Sequence, residues 1–326
     1  MTSSTTATKF QSEVETYLRH YRALGYRYHG HACTLSRLGR VLGKIGVHDL
    51  DAASYDVWCR SIVSNHPNSR RKAQQIVRRF CLFRARTEPT VFVPSVYSFT
   101  KLHPYVRPVI VEPEQVARML EAASRLPDRY DPPLRAAVNR IAVILLYTAG
   151  LRLGELLRLQ VTDIQDGMSV LRVRESKFHK SRLVPLSQSA QTELRRYIRA
   201  RSNFCPEERD RGPLLCNRKG GQLHGYSAPG MGSLLERLFD LADVRNAEGC
   251  RPRVHDLRHS FAIQSLIRVY RAKGDVQSAL PKLALFMGHV SVESTLHYVR
   301  LVPEVAALAS QRFEGHFGHW VQGGAV

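Results

Sequence analysis

Apolar positions recur at helical spacing through the first 86 residues and define four amphipathic helices. Phe10 to Leu24 carries the first, and Gly25 stops it. Cys33 to Ile45 forms the second. The third, Asp51 to Val63, opens on Asp51, a side chain suited to capping the amides of a first turn. Asn68 to Arg86 forms the fourth. One face of it carries Ala73, Ile76, Val77, Phe80 and Phe83 or Arg84, and the other carries Arg71, Lys72, Arg78 and Arg79. Helical periodicity then stops, and Pro89, Pro94, Pro104 and Pro108 punctuate a linker near 87–110. Glu114 to Leu126 and Leu134 to Leu145 restore the helical period. The second of these is apolar on nearly every face, as a central core helix must be. Alternation replaces it over Ser169 to Leu186. There Val170, Arg172 and Arg174 oppose Leu171, Val173 and Glu175, SKFHK turns, and Leu183-Val184-Pro185-Leu186 returns. Gly220-Gly221 in CNRKGGQLHG marks a smaller hairpin, and helices resume at Gly232. The Ser/Thr-rich residues 1–8 form a flexible tail in this reading.

Length adds a domain count: 326 residues suit two domains of roughly 150 residues, with core enough to need no disulfide or metal staple. The longest apolar run, Ile141 to Tyr147, is far short of the ~20 residues that span a membrane. The opening MTSSTTATKF has neither the basic nor the apolar region of a secretion signal. Six cysteines, at 33, 59, 81, 205, 216 and 250, form no CxxC pair and read as reduced thiols of a cytoplasmic protein. Charge narrows the partner. The chain holds 48 Lys and Arg against 28 Asp and Glu, a formal charge of +20. Such self-repulsion calls for a polyanion, nucleic acid first and an anionic membrane second. Residues 1–100 hold 15 basic against 6 acidic residues and the remainder 33 against 22, so both halves are basic. Two basic domains on an extended linker suit a clamp around a duplex better than one domain with a basic tail.

Candidate chemistry lies in four segments of the second half. In TAGLRLGEL (148–156), Arg152 and Glu155 are spaced i, i+3 and share a helix face, an arrangement equally expected of a surface ion pair. In RVHDLRHSFA (253–262), His255 and Arg258 share a face. His259, at i+4 from His255, brings a metal site to mind. Zinc hydrolases with that spacing need Glu beside the first His, whereas this chain has Asp256 there and no third ligand stands out. A His–Arg pair is instead suited to phosphate: Arg offers a planar fork, and His exchanges a proton near neutral pH. In LALFMGHVSVESTLHYVR (283–300), Gly288 ends one helix, His289 follows, Ser291 caps the next, and Tyr298 lies two turns on. A lone helical Tyr is ordinarily half-buried packing. In SKFHKSR, Lys177 and Lys180 project from a hairpin tip, where lysines are usually just solvated.

Taken in order, Arg152, Lys177, His255 with Arg258, His289 and Tyr298 resemble the tyrosine recombinase/integrase family, also called phage integrase-like. TAGLRLGEL resembles its first arginine box, HDLRHSFA its H-x-x-R box, MGHVSVESTLHY its final box, and SKFHKSRLVPL the hairpin bearing its catalytic Lys. Met287 stands where the family usually has Leu, a volume-conserving exchange. The likeness covers the second domain. Residues 9–100 resemble the family's core-binding domain by pattern rather than by motif.

The resemblance implies a mainly α fold with a small β-sheet in the catalytic domain. It also implies a two-domain C-clamp, made of a helical SAM-like core-binding domain and an α+β tyrosine recombinase catalytic domain. The expected boundaries are a 1–8 tail, 9–100 core-binding, 101–110 linker, 111–302 catalytic, and a 303–326 tail helix. In that tail Pro303 starts the helix, and Val305, Leu308, Ala309 and Phe313 form an apolar stripe that packs on its own domain or, as the resemblance favours, docks on a neighbouring subunit. Implied roles are Tyr298 as nucleophile, Arg152 and Arg258 on the phosphate oxygens, Lys177 as acid for the leaving 5′ oxygen, His255 as base or as a positioning group for the phosphate, His289 as donor, and Glu155 as support. Arg70, Arg71, Lys72, Arg78, Arg79, Lys180 and Arg182 are the expected DNA contacts. A phosphotyrosyl link conserves bond energy, so neither metal, ATP nor any other cofactor is expected. The expected partners are double-stranded DNA recombination sites, with a homo-tetramer on two paired sites and room for accessory proteins. The expected location is the bacterial cytoplasm or nucleoid, with no membrane contact. Because the chain begins almost directly with the core-binding helices, a transposon, integrative-element or chromosome-resolution recombinase fits better than an integrase with arm sites. Two alternatives share the scaffold: a catalytically silent DNA-binding accessory protein, and an enzyme that relaxes one duplex by nicking and closing.

Overall fold

A computed structural model describes residues 9–104, 106–125, 132–174, 181–220, 222–288 and 310–311. The chain forms two compact units that meet at Val106 and Arg107.

The described part of the first unit is helical: α1 (Lys9–Ala23), α2 (His29–Lys44), α3 (Ala52–Ser61) and α4 (Pro67–Arg84). Gly25 ends the first helix in the left-handed region, φ 85°. The second helix begins four residues before the expected Cys33, because His29, Gly30 and His31 continue its turns. Asp51 caps α3 as expected: its carboxylate accepts from the Ser54 amide at 2.8 Å, and the Asp51 amide donates to the Ser54 hydroxyl at 3.0 Å. Tyr17, Leu35, Leu38, Trp58, Val77 and Phe80 fill the core. Arg84 lies within that core, 1% exposed, and is neutralised there by both oxygens of Asp49 at 2.6 Å. Of the basic residues on α4 read as DNA contacts, Lys72 and Arg79 are exposed. Arg70, Arg71 and Arg78 are half-buried. Arg71 donates to the Thr100 carbonyl at 3.1 Å and Arg78 to that of Pro94, so both pin the chain that follows α4.

The second unit is built on α6 (Pro132–Thr148). Val138, Ile141, Ala142, Val143, Leu145 and Leu146 of this helix are buried, which accounts for its lack of a polar face. Against it pack α5 (Pro113–Ser124), the short α7 (Leu153–Arg158), α8 (Gln188–Phe204), α9 (Ala228–Leu241) and α10 (Asp256–Arg271), the last followed by α11 (Val276–Met287). Strands β1 (Ile164–Gln165), β2 (Val170–Val173) and β3 (Arg182–Pro185) form one antiparallel sheet, with Leu171 opposite Val184 and Val173 opposite Arg182. A second sheet pairs β4 (Cys216–Lys219) with β5 (Gln222–Gly225), Lys219 opposite Gln222. The fold is thus mainly helical with small antiparallel sheets. Strand β1 and helix α8 were not anticipated. In α8 the buried residues include Arg201, whose guanidinium donates to the carbonyls of Glu208, Arg209, Arg211 and Pro213 and so holds the loop that leads to β4. No described helix is long and apolar enough to cross a membrane.

Candidate active site

Arg152 is the residue just before helix α7; its amide donates to the Glu155 carboxylate at 3.0 Å, while its guanidinium reaches the same carboxylate at 2.7 Å. The sequence pair is therefore no surface salt bridge: Glu155 is 3% exposed. From α10, Arg258 brings a guanidinium nitrogen to 3.8 Å from Glu155. From β3, Arg182 takes both carboxylate oxygens, at 3.0 and 2.9 Å. One buried anion thus balances three cations. Burial pushes the Glu155 carboxyl up, but hydrogen bonds from Arg182 and Arg152 outweigh it and hold the pKa down at about 2. The carboxylate is ionised at any working pH, and the cluster keeps a net positive charge suited to a phosphate.

The end of α11 completes the cluster. The last carbonyls of a helix lack intrahelical donors, and here three successive ones are taken by the three arginines. Arg182 Nε donates to Phe286 O at 2.9 Å, Arg258 to Met287 O at 2.6 Å, and Arg152 to Gly288 O at 3.1 Å. Gly288 adopts φ 68° and ends the helix, as the sequence predicts. A Cβ there would lie 2.9 Å from the Arg182 guanidinium. Arg258 also donates to Gly150 O, and it is 1% exposed.

Gly150 carries a second backbone constraint. Its φ is 58°, and an added Cβ would clash with the Phe261 ring. Gly150→Ala should therefore lose roughly 2–4 kcal/mol of stability, the sum of a left-handed residue and an overpacked contact. Urea denaturation of the full chain checks this; a loss under about 0.5 kcal/mol, the scale of an ordinary surface substitution, would contradict the contact.

His255 precedes α10. Burial lowers its pKa, and the nearby Arg258 and Arg152 lower it further, so the imidazole is neutral at pH 7 and can accept a proton. His259 packs edge-on against it, ring centroids 4.7 Å apart, and burial with the neighbouring His255 brings its pKa to about 4. No group of three or more His, Cys, Asp or Glu that could hold a metal ion occurs among the described residues. Asp256 serves the backbone instead. Its carboxylate accepts from the Arg253 amide at 2.9 Å and the Val109 amide at 3.4 Å, and it pairs with the Arg253 guanidinium.

The structure thus brings Arg152, Glu155, His255 and Arg258 together. Lys177, Lys180, His289 and Tyr298 lie outside the described residues, as does most of the expected 303–326 tail. Arg182, read from sequence as a DNA contact, turns inward: its guanidinium donates to both Glu155 oxygens and to Phe286 O, and its side chain is 10% exposed. It opens β3, one residue before the strand expected from Leu183. Its partner, Glu155, lies 27 residues away and becomes apparent only on folding.

The sequence profile of the phage integrase family matches residues 110–304. Among similar curated proteins, a Sinorhizobium fredii protein with the provisional name integrase/recombinase y4rE is 30% identical over 303 residues, 92% of this chain and 94% of that protein. Tyrosine recombinase XerD of Caulobacter vibrioides is 27% identical over 83% of this chain and 82% of its own length. Among solved structures, the Tn1549 transposon integrase in complex with transposon right end DNA aligns with a TM-score of 0.63 at 16% identity, covering 92% of this chain and 98% of that one.

Proposed function

Because the chain belongs to the phage integrase family, whose relatives include named tyrosine recombinases, we propose that it is a site-specific DNA recombinase working through a 3′-phosphotyrosyl intermediate and a Holliday junction. The observation that carries this reading is the Arg152–Glu155–Arg258 cluster beside a neutral His255. Two guanidinium groups held by a buried carboxylate form a preorganised site for the non-bridging oxygens of a phosphodiester, and they bind its more charged transition state better than its ground state. In the proposed step the Tyr298 oxygen attacks phosphorus as its proton passes to His255. The bond to the 5′ oxygen breaks, and that oxygen takes a proton from Lys177. His289 donates to a non-bridging oxygen. The 5′ hydroxyl of a partner strand then reverses the step, so the bond energy is conserved and no cofactor enters the cycle. The partners are double-stranded recombination sites bound by a homo-tetramer, its C-terminal helices exchanged around a ring that closes at four subunits. Lys72 and Arg79, exposed on α4, serve as sequence-independent phosphate contacts, joined by Arg70, Arg71, Arg78 and Lys180. The reaction serves integration or excision of a mobile element, or resolution.

Selection from a randomised DNA library followed by strand exchange between two copies of the selected site tests this function. Recombinant product is expected. A footprint with neither product nor covalent adduct would instead make the chain a silent DNA-binding accessory protein.

Lys177→Ala should slow cleavage of an ordinary phosphodiester by about 10²–10⁴-fold, the usual contribution of a positioned acid. A 5′-bridging phosphorothiolate should restore the rate, because a thiolate leaves without a proton. Lys180→Ala is the control. Rescue in Lys180→Ala but not in Lys177→Ala would move the acid to the later lysine.

A further inference from the structure

Three arginines, not two, share the buried carboxylate, and the third has no role in the reaction just described. Arg182 enters from β3 and uses its guanidinium on two elements at once. Two nitrogens span both oxygens of Glu155 on α7, at 3.0 and 2.9 Å, and Nε holds Phe286 O on the last turn of α11 at 2.9 Å. The next two carbonyls of that turn, Met287 and Gly288, go to Arg258 and Arg152. Each arginine is therefore fixed to the same two anchors, Glu155 and the end of α11. The absence of a side chain at Gly288 lets the chain pass directly over the Arg182 guanidinium.

This geometry sets how the single negative charge is shared. Glu155 pairs with Arg182 through two charge-assisted bonds but with Arg258 only at 3.8 Å. With Arg182 absent, the carboxylate would be neutralised by Arg152 and Arg258 alone. Both would be drawn toward it, and less of their charge would face a phosphate. The Phe286 carbonyl would lose its donor at the same time, loosening the turn that also holds Arg152 and Arg258.

We propose that Arg182 is a positioning residue which, by occupying both oxygens of Glu155 and the Phe286 carbonyl, keeps Arg152 and Arg258 aimed at a phosphate rather than drawn onto Glu155. This rests on the recombinase reading for the identity of that phosphate. It does not rest on it for the coupling between Arg182 and Glu155.

Single-turnover cleavage and half-site binding should be compared in the full chain for Arg182→Gln, Arg182→Lys, Glu155→Gln and the double variant Glu155→Gln/Arg182→Gln. Arg182→Gln should slow cleavage by about 10²-fold, the scale of one preorganised donor. Half-site affinity should stay within roughly threefold, since many other phosphate contacts remain. Arg182→Lys, which keeps the charge but not the fork, should recover part of the rate. In the Glu155→Gln background the Arg182→Gln effect should largely vanish, because no charge is left to shield. An equal effect in both backgrounds, or a full rate in Arg182→Gln, would overturn the proposal. Titration calorimetry with inorganic phosphate gives a second readout that needs neither DNA nor cleavage. Arg182→Gln should weaken phosphate binding about tenfold, and the double variant should restore it. Unchanged phosphate affinity, or no phosphate binding by the unaltered chain, would also overturn the proposal. A chain that binds phosphate in this pattern but forms no covalent DNA adduct would instead refute the recombinase reading and leave the role of Arg182 standing. Because removing one member of a buried ion cluster can unfold a protein, the double variant, which removes both charges together, keeps the comparison decisive.

Discussion

Tyr298→Phe is expected to abolish covalent protein–DNA adducts while leaving half-site affinity within roughly twofold, since one hydroxyl contributes little to an interface dominated by phosphate charge. The substitution keeps the ring and its packing and deletes only the oxygen that would attack phosphorus. Tyr298 stands ten residues beyond Gly288, whose carbonyl is held by Arg152. The carbonyl from which the chain continues toward the proposed nucleophile is thus held by the arginine proposed to bind the phosphate. Denaturing electrophoresis of a nicked-substrate reaction reports the adduct, and a gel-shift titration of a half-site reports binding. SDS-resistant complexes formed by the Phe variant would assign the nucleophile elsewhere.

Arg258→Ala is expected to cost at least ~10²–10³ in cleavage rate, the loss usually seen when one preorganised donor is removed from a closed site. Arg258 is buried and donates to Gly150 O and Met287 O, with Glu155 at 3.8 Å. Its removal leaves two carbonyls without those donors and shifts the Glu155 charge onto Arg152 and Arg182. Stability should fall by about 1–3 kcal/mol, the cost of leaving buried polar groups unmet. Half-site binding should change far less than the rate, because a buried guanidinium contacts at most one phosphate of many. Adduct formation in single turnover and half-site affinity, measured at one salt concentration, separate these effects. Equal losses in both would make Arg258 an ordinary backbone contact.

Much of this site could be read before folding, for reasons that differ by residue. Arg152 and Glu155 are three residues apart, so local helical geometry alone brings them together. Gly288 was legible as a helix end because only Gly adopts φ 68° there without strain. Asp51 was legible as a cap because its partner, Ser54, is also local. What escaped depends on distant partners. Arg182 looked like one more basic residue of a hairpin, and nothing local marks the carboxylate on α7 that captures it. Helix α8 escaped for a related reason. Its run QSAQTELRRYIRARSNF shows mostly polar residues, and its buried face includes Arg201, which donates to carbonyls later in the chain. Two residues of β1 carry no alternation at all and form a strand only because β2 offers them a partner. Burial of arginine also runs against composition. Arg84, Arg201 and Arg258 each lie inside a core, where composition places Lys and Arg last.

In the proposed reaction the arginine cluster presents a DNA phosphate to Tyr298. Peptide mapping of the DNA-linked residue tests it most directly. The protein is trapped on a substrate nicked close to the cleavage point, digested with protease and nuclease, and the modified peptide is sequenced by mass spectrometry. The account predicts a single phosphotyrosyl peptide containing Tyr298, joined to a 3′ phosphate. A link at another residue, a 5′ linkage, or no covalent peptide from a site the protein demonstrably binds would contradict it.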